Sequence, residues 1–228
     1  MSLYSNTLQW SSIWGIGDVD SRHQRPDPYR PFEARLYANT TVPLTPTYNM
    51  SFGLATLYFR NDRDYSAFSL CPRLTLTAKL KGSSLSLHIG RYVQPLHQVG
   101  FSEIGMSSDF WLGANAVAPM QSAWTAALRF ARGIRFLGLG LDCEVYYKCL
   151  AGQPEYAGQI LDLIAADYDV LDYLRTGRGY NAGLNVSVYK DYGAVTGTLG
   201  AGYGVARRKY GSETRSVRGR TDPGLTLS

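Results

Sequence analysis

Along Leu137–Lys148 the chain alternates strictly between two kinds of residue. One set is Leu137, Leu139, Leu141, Cys143, Val145 and Tyr147; the other is Gly138, Gly140, Asp142, Glu144, Tyr146 and Lys148. A β-strand sends successive side chains to opposite faces, so this segment builds a sheet with one apolar wall and one polar wall. A helix would scatter the same residues around its circumference. Locally, a soluble antiparallel sheet with one wet face reads the same way, so the connections between strands have to decide what the two walls meet.

Nine segments carry this period: 7–16, 33–43, 48–60, 73–80, 84–94, 122–131, 136–148, 180–189 and 194–206, with a stub of a tenth at 225–228. In 73–80, Leu74, Leu76, Ala78 and Leu80 oppose Arg73, Thr75, Thr77 and Lys79. Short turns at 43–47, 81–83, 132–134 and 190–193 alternate with longer polar stretches at 18–31, 61–72, 95–121, 149–179 and 207–224. Outer-membrane barrels have this parity, with tight periplasmic turns at one rim and long extracellular loops at the other. The fold class expected is therefore all-β: an antiparallel transmembrane β-barrel, partial, of about nine or ten strands, in one domain spanning 1–228. Trp10, Trp14, Tyr58, Phe59, Tyr92, Tyr146, Tyr147, Tyr189, Tyr192 and Tyr203 are expected to form the aromatic girdles at its two interfaces.

Composition agrees with that class. Only 18% of residues are charged, while Gly (24) and Tyr (17) are abundant. No apolar run approaches the ~20 residues of a membrane helix. The net charge of +5 is spread along the chain apart from Arg207-Arg208-Lys209 and the tail arginines Arg215, Arg218 and Arg220. Those read as loop or lumen charges, so no nucleic-acid partner is expected. The amino terminus has no basic, apolar and small-residue succession of a signal peptide, and the chain is expected to be a mature form or a piece of something longer.

Chemistry-bearing patterns are few. Cys71, Cys143 and Cys149 lack C-x-x-C spacing, and His23, His88 and His97 lie too far apart for a metal pair. Asp167, Asp169 and Asp172 resemble a calcium loop only faintly, without its glycine and final glutamate; they are expected to be structural, within the 149–179 loop, whose segment 159–174 has the spacing of a short amphipathic helix. Gly200, Gly202 and Gly204 sit in a strand rather than before a helix, and so make room on one face instead of cradling phosphate. No nucleophile has a base in context, so neither an enzyme nor a cofactor is expected. The candidate ligand contacts are Asp109, Phe110 and Trp111 in the 95–121 loop, able to stack and hydrogen-bond. Anchoring that loop to the rim is the competing role for the same three residues.

Between Leu70 and Tyr210 the order of short motifs resembles the TonB-dependent receptors of Bacteroidetes-type outer membranes. Ser69–Leu76 is similar to that family's S-P-R-L strand start, and Gly90-Arg91-Tyr92-Val93-Gln94 to its GRY-Q strand end. Ser108-Asp109-Phe110-Trp111, followed by Pro119–Ala123, is similar to its D-x-W and P-Q-S-A loop. Glu144–Lys148 is similar to its E-x-YYK strand end, and Gly177–Leu184 to a strand entry. Departures include the missing glutamate near Asn185 and the missing proline before Asp109.

The resemblance implies a role in uptake of a large scarce solute, such as an iron chelate, cobalamin or a glycan. Outer-membrane lipid and the rest of a receptor barrel with its plug would be the partners, and TonB would act only through that plug. Such barrels have 22 strands. About nine candidates and no plug sequence imply an internal slice, not competent for transport alone. A self-closed small outer-membrane barrel and a soluble β-barrel binding module remain the alternatives.

Overall fold

In a computed structural model of the chain, the residues described are 2–5, 31–61, 65–99, 110–134, 138–157, 170–190, 192–193, 196–216 and 224–227. Among these described residues thirteen strands are present. They are β1 (Ser2–Ser5), β2 (Phe32–Pro43), β3 (Tyr48–Arg60), β4 (Ser66–Leu80), β5 (Ser83–Gln94), β6 (Leu96–Val99), β7 (Phe110–Gly113), β8 (Gln121–Ile134), β9 (Leu139–Tyr156), β10 (Leu174–Lys190), β11 (Gly197–Tyr210), β12 (Glu213–Ser216) and β13 (Gly224–Leu227). Strands β2–β5 and β8–β11 form one antiparallel meander, with β1 on β2 and both β12 and β13 on β11. Among the described residues no pairing joins β1 to β12 or β13, so this is an open sheet and no barrel closure is seen.

The turns follow local chemistry. Gly82 supplies the positive φ of 77° that the Lys81-Gly82 turn requires. In the 44–47 turn, Thr45 Oγ1 accepts hydrogen bonds from the backbone N–H groups of Thr47 and Tyr48 at 3.2 and 3.0 Å.

The expected 7–16 strand lies outside the described residues. Other expectations need correction. The stretches 61–72, 149–179 and 207–224 are not loops throughout: β4 begins at Ser66, β9 runs to Tyr156, β10 starts at Leu174 and β11 reaches Tyr210. A tight Gly211-Ser212 turn then leads into β12, where a long loop was expected. Loop parity is accordingly weaker than the sequence suggested. The E-x-YYK segment Glu144–Lys148 lies in mid-strand rather than at a strand end.

The two walls are continuous. Register places Val42, Met50, Leu76, Leu87, Leu128, Val145, Leu184 and Tyr203 in one row across eight strands. This apolar wall is the exposed one. Of the exposed large apolar side chains, all but Tyr37, Leu44, Tyr92, Trp111, Val117 and Tyr192 lie on it. The buried strand side chains Leu57, Phe59, Ser69 and Cys71 belong to the opposite wall. A water-soluble sheet would bury the first wall and wet the second; here the pattern is inverted.

In β2–β5 and β8–β11 the apolar wall carries no Asp or Glu, and its cations stand only at its two ends. Arg132 and Lys190 mark the short-turn end; Arg60, Arg91, Arg178, Arg207 and Lys209 mark the other. At roughly 3.3 Å per residue, the uncharged strip measures about 26 Å along β5 and about 40 Å along β10. For strands tilted about 40°, that is a band roughly 20–30 Å tall, which brackets the ~25 Å apolar band of outer-membrane barrels. The aromatic expectation divides. Tyr58, Tyr147 and Tyr203 face the apolar side, whereas Phe59, Tyr92, Tyr146 and Tyr189 face the polar side.

Candidate functional site

At the long-loop rim the connections fold into a small layer of their own. Strands β6 and β7 pair as a hairpin, and Val99, Ala118 and Leu174 form a buried cluster with Leu112, Tyr156 and Leu171 packed around it. Asn115 closes the following bend, its Oδ1 accepting from the N–H groups of Val117 and Ala118 at 2.9 and 2.8 Å. Two further bonds tie this layer to the β3–β4 connection: Asn61 Nδ2 donates to the Ala114 carbonyl, and Met120 N donates to Tyr65 Oη.

His97 is fully buried in this layer. Its Nε2 lies 3.1 Å from the Ala118 carbonyl and its Nδ1 lies 2.9 Å from Gln121 Nε2. A neutral ring with the proton on Nε2 donates to the first and accepts from the second. Burial pushes its pKa below the ordinary histidine value, and hydrogen bonds to the backbone of Ala118 and Pro119 only partly offset this. Gln121 in turn accepts from Gln153 Nε2 at 3.2 Å. A chain of three side chains thus runs from the loop core to the polar wall.

Gln153 reaches that wall because of a β-bulge. Gly177 pairs with Gln153 and Arg178 with Ala151, which leaves Gly152 unpaired at φ 68°. The extra residue reverses the facing of everything beyond it. Without the bulge, Gln153 would point to the apolar side.

Below this layer the polar wall forms a cleft of about 530 Å³. Tyr92, Gln94, Gln121, Thr125, Lys148, Gln153, Asn181 and Arg208 supply its polar groups, and no Asp or Glu lines it. The Lys148 ammonium sits 5.3 Å from the centre of the Tyr146 ring. Tyr146 itself lies flat, because Gly183 has no side chain: a Cβ there would stand 2.5 Å from the Tyr146 hydroxyl. Arg208 lies across β10 in the same manner. A Cβ on Gly179 would be 2.6 Å from Arg208 Cδ, and Arg208 Nη1 donates to Asn181 Oδ1 at 2.8 Å.

Of the residues singled out in the sequence, Asp109 lies outside the described residues, and of Phe110 only the strand backbone of β7 is described. Trp111 stands on that hairpin, half exposed, and does not line the cleft. Asp167 and Asp169 are likewise outside; Asp172 lies in a 3-10 turn at Val170–Tyr173, and most of the helix expected over 159–174 is outside the described residues. His88 bonds Thr75 and Tyr92 on the polar wall, at 3.0 and 2.7 Å.

The cleft residues escaped sequence reading because Lys148, Asn181 and Arg208 lie on three strands. Only the register makes them neighbours. Comparison with protein families, with curated proteins and with solved structures finds no match for this chain.

Proposed function

We propose that the chain is a segment of an outer-membrane β-barrel of the receptor or transporter kind, its apolar wall against lipid and its polar wall against an aqueous lumen. The observation that carries this reading is the inverted exposure of the two walls. About twenty large side chains, each showing between 37% and 62% of its area, present on the order of 1,500 Å² of apolar surface, against roughly 300–600 Å² for the largest patch of an ordinary monomer. At about 25 cal/mol per Å², leaving that surface in water forgoes roughly 35 kcal/mol, several times the net stability of a typical domain.

The cation borders support the same reading, since long basic side chains at the edges of an apolar band reach headgroups while their stems stay in it. Strands of 12 to 18 residues exceed the ~10 that a tilted membrane strand needs. The edges left open among the described residues call for further strands, from another part of a receptor or from a second chain, because unpaired backbone is costly in hydrocarbon. The finer reading, TonB-dependent uptake of a large solute, rests on the motif order between Leu70 and Tyr210.

The test is refolding with and without detergent micelles, followed by gel electrophoresis of unheated and heated samples. A detergent-dependent β-rich species whose mobility changes on heating supports a membrane sheet. A folded monomer that is soluble without detergent contradicts it.

A further inference from the structure

We infer that the polar-wall cleft binds a small hydroxyl-rich solute through an oxyanion, a carboxylate or phosphate, held between Lys148 and Arg208. Among the described residues neither cation forms an ion pair with a carboxylate; the pairs seen there are Arg35–Glu33 and Arg129–Asp142. Both side chains are half-buried, which raises the value of an opposite charge there relative to an open surface.

Their positions converge. Lys148 pairs directly across from Asn181, and Arg208 is bonded to Asn181, so one residue sits between the two charges. Arg208 uses Nη1 on Asn181 Oδ1 and the Arg207 carbonyl. The remaining N–H groups of the guanidinium fork suit a carboxylate or phosphate oxygen. Lys148 over the Tyr146 ring keeps its N–H groups free to donate as well.

The rest of the lining matches hydroxyls. Gln94, Gln121, Gln153, Thr125 and Tyr92 offer amide and hydroxyl groups of both donor and acceptor type. Gln121 is fixed in orientation by its bonds to His97 and Gln153, so part of this wall is set before any ligand arrives. A volume of about 530 Å³ takes a solute of one or two sugar rings. The assignment concerns the polar wall, which faces water whatever medium the opposite wall meets. It is therefore measured in whichever medium, micelle or buffer, gives the folded chain, and its outcome is separate from that of the membrane reading.

The experiment is calorimetric titration of the folded chain with glucuronate, glucose 6-phosphate, glucose and inorganic phosphate. Each charged sugar is expected to bind at least about tenfold more tightly than glucose, and to weaken as salt is raised. Glucuronate alone or glucose 6-phosphate alone binding would fix the oxyanion as carboxylate or phosphate, and inorganic phosphate alone would reduce the site to a bare anion hole and overturn the sugar part. Lys148→Gln and Arg208→Gln should each cost about tenfold or more, whereas Arg132→Gln on the opposite wall should change nothing. Glucose binding as tightly as glucuronate overturns the assignment, as does full affinity in both cleft variants. No heat for any of the four probes also overturns it. Should a variant fail to fold, the salt dependence and the charged-to-neutral ratio of the unaltered chain decide alone.

Discussion

Leu128→Arg tests what the apolar wall meets. Leu128 is 46% exposed, pairs with Leu87 and Val145, and lies four residues from Trp124, beside the Arg91 border, and four from Arg132. At about 3.3 Å per residue it stands ~13 Å from either border, or roughly 10 Å along the normal of a tilted strand, which is mid-band. An arginine at the midplane of a membrane sheet costs about 2–4 kcal/mol, and near the interface about 0–1. Ser122, on the same strand and face but beyond the Arg91 border, supplies the matched comparison. Equilibrium unfolding in lipid vesicles, followed by tryptophan fluorescence, should show Leu128→Arg losing at least about 2 kcal/mol more than Ser122→Arg. In water the exposed Leu128 would tolerate arginine at least as well as the partly covered Ser122, so its cost would not exceed that of Ser122→Arg. Equal costs would therefore refute the lipid-facing assignment.

Three more outcomes follow from individual residues. His97 has its pKa lowered by burial, so as pH falls the opened loop layer takes up a proton before the folded one does. Its contribution is fully present above about 6.5 and lost as pH drops through the folded value; proteolytic nicking of 95–120 should rise between pH 8 and 5, and His97→Phe should flatten that rise. Gly152→Val places an L side chain at φ 68°, with its Cβ 2.9 Å from the Met120 carbonyl. It should cost about 1–3 kcal/mol in the same unfolding assay and weaken any cleft binding that uses Gln153. Gly183→Ala should displace Tyr146 and destabilise by about 1–2 kcal/mol, whereas Gly200→Ala, with nothing within 4 Å, should be neutral or slightly stabilising.

Much of the sheet was legible because its pattern is local. Segment 84–94 became Ser83–Gln94 because it alternates between clear turn residues. Segment 48–60 became Tyr48–Arg60 because its β-forming residues run between the 44–47 turn and the polar stretch after Arg60, although Leu57-Tyr58-Phe59 interrupts the alternation. The strand ends were harder to read. Pro72 looks like a boundary, but pairing of β4 to β5 begins at Arg73, so its missing N–H costs nothing in that ladder. Gly152 and Pro154 break the alternation of β9, and a bulge absorbs the break.

The candidate site was nearly illegible for a different reason. Lys148, Gln153, Asn181 and Arg208 sit on β9, β10 and β11, and only the cross-strand register and one bulge bring them to a common face. The alternation did assign each strand its two walls. It could not say which wall the fold would leave exposed.

A spin-label scan along β8 reads that inversion directly. With Cys71, Cys143 and Cys149 replaced by serine, single cysteines from 122 to 132 carry the label in lipid vesicles. Labels at 124, 126, 128 and 130 should be accessible to oxygen and shielded from a water-soluble nickel chelate; those at 123, 125, 127 and 129 should show the reverse. Even positions open to the chelate, or no period of two, would contradict it.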